Sequence, residues 1–271
     1  MQEGKNTANN MRKAILESCF QSGGHISTSM SCVEILVALY KGREDRFNLN
    51  QISQKDPNRD VFVMSKGHGE NALYSLLIEI GLVPASWLHK HYRRNEYKLG
   101  GHVDSAVPGV EVSTGALGHG CSVACGIAKA KKMKGLDGRV FCLLGDAECS
   151  EGSVWESVIF AVNQKLSNLT FIIDNNKIGS LDFTENYIDF DRAQAFSGFG
   201  AAVSVVDGHN IEELVDTFFQ DNNEFQVVVC ETVKGKGVSA VENDPIWHVK
   251  KVDEAVYETG QKELDVKDAD A

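Results

Sequence analysis

The sequence predicts an α/β fold, a parallel β-sheet with helices on both faces. Three observations carry the prediction. Short runs rich in Val, Ile and Phe recur along the chain with no polar alternation, as in strands buried on both sides. Segments of helical periodicity separate them, and strand, helix, strand is the βαβ unit of a parallel sheet. The strands run into Gly-rich and acid-amide turns, at the edge where open α/β sheets bind ligands.

Residues 9–21 place Met11, Ile15 and Cys19, with Ala14 and Leu16, on one helical stripe that Gly23-Gly24 ends. Residues 32–40 read as a second, more buried helix. The polar stretch 41–59, which holds Pro57, reads as a loop. Val61-Phe62-Val63-Met64 is a short strand, Ser65-Lys66-Gly67-His68-Gly69 a tight loop, and residues 70–80 a helix. Residues 100–120 are Gly-rich and irregular, and long structureless loops in compact domains are usually functional. They lead into a small-residue helix over 121–133. Residues 139–144 form a buried strand, 153–164 a helix with Trp155, Val158, Ile159 and Val162 inward, and 169–174 another strand. Residues 202–206, 211–220 and 225–231 repeat the strand, helix, strand order. After Val252 the chain is mostly polar and reads as a peripheral helix with a frayed end.

Composition narrows the function classes. With 271 residues, one or two domains are open. The formal net charge is −11 and no Lys/Arg cluster occurs, which argues against broad binding to nucleic acid or anionic membranes. The longest apolar run, Ile35 to Tyr40, is far short of a bilayer span, and Met1 to Lys5 has no signal-peptide pattern. Seven cysteines without a Cys-x-x-Cys pair suit structural thiols in a reducing cytosol, so a cytoplasmic location is expected.

The chemistry concentrates after two strands. Both strands of a βαβ unit run the same way, so Gly145-Asp146 and Asn175-Asn176 emerge at one edge. On adjacent strands, about 4.8 Å apart, a carboxylate and an amide oxygen can meet on one hard cation. Mg²⁺ takes one or two protein carboxylates and fills its octahedral shell with water and phosphate oxygens. One Asp, one Asn, one carbonyl and a diphosphate suit it. The small Gly145 and Ala147 let backbone N–H groups approach a phosphate. A lone Asp after a strand serves as well as a turn or helix cap, and the second acid-amide cluster turns the reading toward a metal.

The run Gly145-Asp146-Ala147-Glu148-Cys149-Ser150-Glu151-Gly152-Ser153-Val154-Trp155-Glu156, followed by Asp174-Asn175-Asn176-Lys177-Ile178, resembles the thiamine-diphosphate signature of transketolases. Asp146 and Asn176 stand 30 residues apart, which fits that motif. Ser22-Gly23-Gly24-His25, Ser65-Lys66-Gly67-His68-Gly69, Gly100-Gly101-His102 and Thr114-Gly115-Ala116-Leu117-Gly118 match, in order, segments that line the family's cofactor and donor channel. The resemblance implies a thiamine-diphosphate-binding fold, with residues 1–250 as the thiamine-diphosphate/Mg²⁺ domain and 251–271 as a polar tail. It implies that Asp146, Asn176 and the Ile178 carbonyl hold Mg²⁺, with Gly145 and Ala147 beside the diphosphate. His68 and His248 approach the diphosphate, His25 and His102 face substrate hydroxyls, and Gly115 and Leu117 pack on the pyrimidine side. Glu151 matches a carboxylate that links active sites across the dimer.

Histidines suit such a channel, because moving protons on and off hydroxyls near neutral pH calls for a group with an ordinary pKa of about 6.5. His89, His91, His119 and His209 lack motif context and read as surface or structural, although His119 stands where the family often carries Gln. Lys234 and Lys236 resemble a family loop near the diphosphate and read equally as solvated lysines. The chain departs from the family at Ile26-Ser27-Thr28-Ser29, where two hydroxyls near the channel mouth could alter the donor accepted, and at Ala147, where Gly is frequent.

The resemblance covers only the diphosphate-binding half of a transketolase. The family's second domain supplies a Glu to the aminopyrimidine, and no segment corresponds to it. The expectation is therefore an amino-terminal subunit of a split transketolase, inactive alone and paired with a C-terminal subunit in a heterotetramer of two chains of each kind. It would move a two-carbon ketol unit from a ketose phosphate to an aldose phosphate. Two other readings stand beside it: two-carbon transfer to a carrier protein or biosynthetic intermediate, and a catalytically silent diphosphate-binding or regulatory module.

Overall fold

The computed structural model describes residues 2–93 and 99–269, with the side chains of 89–91 and 267–269 left aside. Its centre is a five-stranded parallel sheet in the order β1-β2-β3-β5-β4. The strands are β1 (Val61–Met64), β2 (Val140–Gly145), β3 (Leu169–Asn175), β4 (Ala202–Asp207) and β5 (Gln226–Glu231). Every residue of β1, β2 and β3 is buried, which accounts for their unbroken apolar runs. β4 forms an edge, and its Val205 is exposed.

Alternate strand residues feed two cores, one per face. Phe62, Met64, Phe141, Leu143 and Ile172 join one cluster with α1 (Gln2–Ser22), α3 (Val33–Lys41), α5 (Glu70–Glu79) and α10 (Ile211–Phe219). Val61, Val63, Cys142, Leu144, Phe171 and Ile173 join the other with α7 (Gly120–Lys134), α8 (Gly152–Asn163) and α9 (Arg192–Gly198). All seven cysteines are buried free thiols. No described helix is long and apolar enough to cross a membrane.

Several local readings need correction. Two short helices interrupt stretches read as turn or loop: α2 (Ile26–Met30) and α4 (Leu49–Gln54). α4 lies inside the polar stretch because Asn48 caps it, accepting from the N–H groups of Asn50 at 3.0 Å and Gln51 at 3.3 Å. On α8, Val158 is buried and Trp155 and Val162 pack against the core as expected, but Ile159 is exposed, and Val154, Ser157 and Ala161 complete the buried face. Its apolar residues run round much of the helix, so periodicity does not choose the face. α6 is Ser86–His91. The polar tail forms α11 (Glu254–Ala269), which docks on α1: Leu264 is buried, its carbonyl accepts from Asn9 Nδ2 at 2.8 Å, and Tyr257 stacks on Phe20.

Candidate active site

The register of β2 and β3 sets the site. Gly145 lies opposite Asp174, so Asp146 and Asn176 leave the same sheet edge on neighbouring strands. Asp146 Oδ1 accepts from the Ala147 N–H at 2.6 Å, and Oδ2 accepts from the N–H of Lys177, which turns there through a left-handed φ of 64°. Asn176 Oδ1 accepts from the Ile178 N–H at 3.2 Å. A cavity of 340 Å³ opens over this edge. Its lining includes every residue that the sequence assigned to cofactor, metal or catalysis: His25, His68, His102, Gly115, Leu117, Gly145, Asp146, Ala147, Glu151, Asn176, Ile178 and His248.

Four histidines reach the cavity from four separate segments, with His25 at their centre. Its ring centroid lies 5.9 Å from that of His68, 5.3 Å from His102 and 5.6 Å from His248, and His68 and His248 are 5.4 Å apart. Burial, with Lys66 next in weight, pushes His68 well below the ordinary histidine range. Burial and the Lys234 ammonium take His248 down to about 3, and burial and His25 lower His102. These three imidazoles are neutral at neutral pH and can give or receive hydrogen bonds without carrying charge into the cavity.

Four groups outside the assigned site residues hold the site together. Glu148 is buried and binds three loops: its Oε1 accepts from Ser65 Oγ at 2.6 Å and from the Gly118 N–H at 2.8 Å, and its Oε2 from the Gly145 N–H at 3.0 Å. The Gly145 N–H is thus already used, and what Gly145 offers a ligand is space. Lys66, also buried, pairs with Asp174, whose other contacts are the Ser31 hydroxyl at 2.6 Å and the Thr232 hydroxyl. Burial opposes the charge on Asp174, but Lys66 and the hydroxyl donors hold its carboxyl below the ordinary range. Lys234 is buried, not solvated, and its ammonium donates to the carbonyls of Ile178 and Gly179, each at 2.7 Å. Gly67 fits under loop 114–118 because a Cβ there would lie 2.8 Å from the Thr114 carbonyl.

The other sequence candidates separate. Ser27 gives its hydroxyl to the Trp247 carbonyl at 3.0 Å, and Thr28, with its carbonyl on Lys66, lines the cavity. His119 is exposed at the start of α7, outside the cavity lining. His209 is structural: its ring lies between Glu34 at 2.9 Å and the Val233 N–H at 2.8 Å. The side chains of His89 and His91 lie outside the described residues. Lys236 is half-buried, with its carbonyl on Arg12.

The donor set fits a hard cation and a diphosphate. Burial and the neighbouring Asp174 raise Asp146 to about 6 despite the Arg192 guanidinium nearby, and a divalent ion would favour its ionised form. The Ile178 carbonyl already takes a cationic donor, the Lys234 ammonium. Carboxylate, amide and carbonyl oxygens suit Mg²⁺, while among the described residues no cluster of three or more His, Cys, Asp and Glu side chains forms a different metal site. Lys66, Lys234 and the neutral histidines face the same space, as an anionic ligand requires.

Known proteins place this geometry. The family described as "Transketolase, thiamine diphosphate binding domain" matches residues 5–266. An apulose-4-phosphate transketolase subunit of Actinobacillus succinogenes is 39% identical over 255 residues, covering 92% of this chain and 90% of that protein. The transketolase of Pongo abelii is 36% identical over 256 residues, and there the match spans 40% of its length. The crystal structure of Campylobacter jejuni transketolase superposes with a TM-score of 0.85 at 26% identity, covering 97% of this chain and 42% of that one. Fold, cavity and similarity agree that this chain belongs to the transketolase family and carries its thiamine-diphosphate-binding domain.

Proposed function

We propose that this chain is the amino-terminal subunit of a split transketolase, which with a partner subunit transfers a two-carbon ketol unit from a ketose phosphate to an aldose phosphate. The observation that carries the reading is the single cavity in which Asp146, Asn176 and Ile178 stand beside four clustered histidines. The match to 90% of a protein that is itself named as one subunit of a transketolase supports the split arrangement. Val123 on α7 and Ile159 and Phe160 on α8 are exposed apolar side chains that another chain could bury. A heterotetramer of two chains of each kind, in the cytoplasm, is the assembly this reading expects.

Asp146, Asn176 and the Ile178 carbonyl would hold Mg²⁺, and Ala147, His68, Lys234 and His248 would receive the diphosphate. Gly115 and Leu117 would bound the cofactor's pyrimidine side. Thiamine diphosphate supplies the carbon nucleophile and electron sink when bound. His25 and His102 would orient the sugar hydroxyls and move their protons, with uncharged imidazole at His102 as the acceptor. Glu151, exposed at the cavity rim, would meet a group from another chain. The test mixes this chain with its candidate partner, Mg²⁺, thiamine diphosphate and paired ketose and aldose phosphates. Transfer only in the mixture supports the reading, and full transfer by this chain alone overturns it.

A further inference from the structure

Behind the histidine cluster lies an acid outside the cavity lining. Glu70, the first residue of α5, is 0% exposed. Its Oε1 lies 3.3 Å from His25 Nδ1 and accepts the Tyr92 hydroxyl at 2.8 Å, while Oε2 has no hydrogen-bond partner. Burial raises the pKa of nearby Cys19 and Tyr74, and a negative charge on Glu70 would add to it. An apolar side chain would fill the same position without a stranded oxygen, so packing alone does not account for an acid here.

Two features of the surroundings aim donors at Oε1 against the cost of burial. The start of α5 presents the positive end of its helix dipole. Burial raises the Glu70 pKa, and the contacts with His25 and the Tyr92 hydroxyl offset that only in part. The chain also makes room for Tyr92: a Cβ on Gly24 would lie 2.3 Å from its hydroxyl, and Gly24 directly precedes His25. Its φ of 155° and its backbone bond from Lys250 fix the segment that carries the imidazole.

We propose that Glu70 is a positioning residue for His25, holding the ring with its hydrogen on Nδ1 so that Nε2 is left as the proton acceptor toward the cavity. Oε1 already receives the Tyr92 hydroxyl, and a second donor at Nδ1 completes it. During proton transfer Nε2 takes the proton of a substrate hydroxyl and returns it, while the Glu70 carboxyl holds the opposite edge of the ring. The catalytic part of this inference rests on the transketolase reading; the tautomer does not.

The test uses the full chain labelled with ¹⁵N-histidine at pH 8, the His25 signal being assigned by its loss in His25→Gln. A protonated Nδ1 and a pyridine-type Nε2 are expected in the wild type and in Tyr92→Phe, and a mixed or reversed tautomer in Glu70→Leu. An Nε2–H tautomer in the wild type overturns the proposal even if Glu70→Leu fails to fold, and so does an unchanged tautomer in that variant. In the assembled complex, Glu70→Leu is expected to lower kcat about tenfold or more with KM within about twofold, and Glu70→Gln to recover part of the loss. An unchanged kcat overturns the catalytic part. A wild-type complex that fails to turn over counts against the transketolase reading and leaves the tautomer result to decide Glu70.

Discussion

The ammonium of Lys234 lies 2.7 Å from the carbonyl oxygen of Ile178, the atom that the transketolase resemblance assigns to Mg²⁺. Burial, with Lys66 next in weight, lowers its pKa to about 8. On that assignment the ammonium, held on the Ile178 and Gly179 carbonyls, would meet an anion arriving with the metal. Lys234→Met is expected to weaken thiamine-diphosphate binding to the assembled complex by about tenfold, read by calorimetric titration. In the wild type the affinity should decline as the pH rises above 8 and the ammonium is lost. Equal affinity in the two proteins at pH 7 would remove Lys234 from the diphosphate site.

Asp146 stores a cost that a bound cation would relieve. Burial and Asp174 raise its folded pKa to about 6 from an ordinary 3.8. A group that holds its proton more tightly when folded favours the folded state most while protonated. Its contribution is therefore present below about pH 4 and is lost as the pH rises through about 6. Without Mg²⁺, Asp146→Asn should raise stability at pH 7 by about 1–3 kcal/mol and change it little at pH 4. Urea unfolding in a chelator at both pH values measures this, and a difference that does not grow with pH contradicts it.

Glu148 joins the loops at Ser65, Gly118 and Gly145. Glu148→Ala strands one hydroxyl and two N–H donors and should cost about 3 kcal/mol or more. Glu148→Gln keeps an oxygen for part of the set and should cost less. Denaturant midpoints for the two variants give the comparison, and a neutral Glu148→Ala would show that the loops are held some other way.

Much of this architecture was legible because buried parallel strands have an unmistakable sequence pattern. Val61–Met64, Val140–Gly145 and Leu169–Asn175 stand out as apolar runs, and their order places Asp146 beside Asn176. Short elements were not legible: Ile26–Met30 is too brief to show a period, and Leu49–Gln54 is polar on most faces. Nor does periodicity choose between Ile159 and Val154 on a helix apolar round much of its surface. Motif spacing found many of the groups that line the cavity. It left aside Glu70 and Glu148, because a carboxylate's place behind a motif depends on which loops fold over it.

The central claim is that Asp146, Asn176 and Ile178 make this chain the metal and diphosphate half of a thiamine-diphosphate enzyme. The most direct measurement is the dissociation constant of thiamine diphosphate for the complex with the partner subunit, with and without Mg²⁺, in wild type, Asp146→Asn and Asn176→Ala. The prediction is tight binding in the wild type only when Mg²⁺ is present, with each variant weaker by about tenfold or more. Affinity that ignores both the metal and the two substitutions would contradict it.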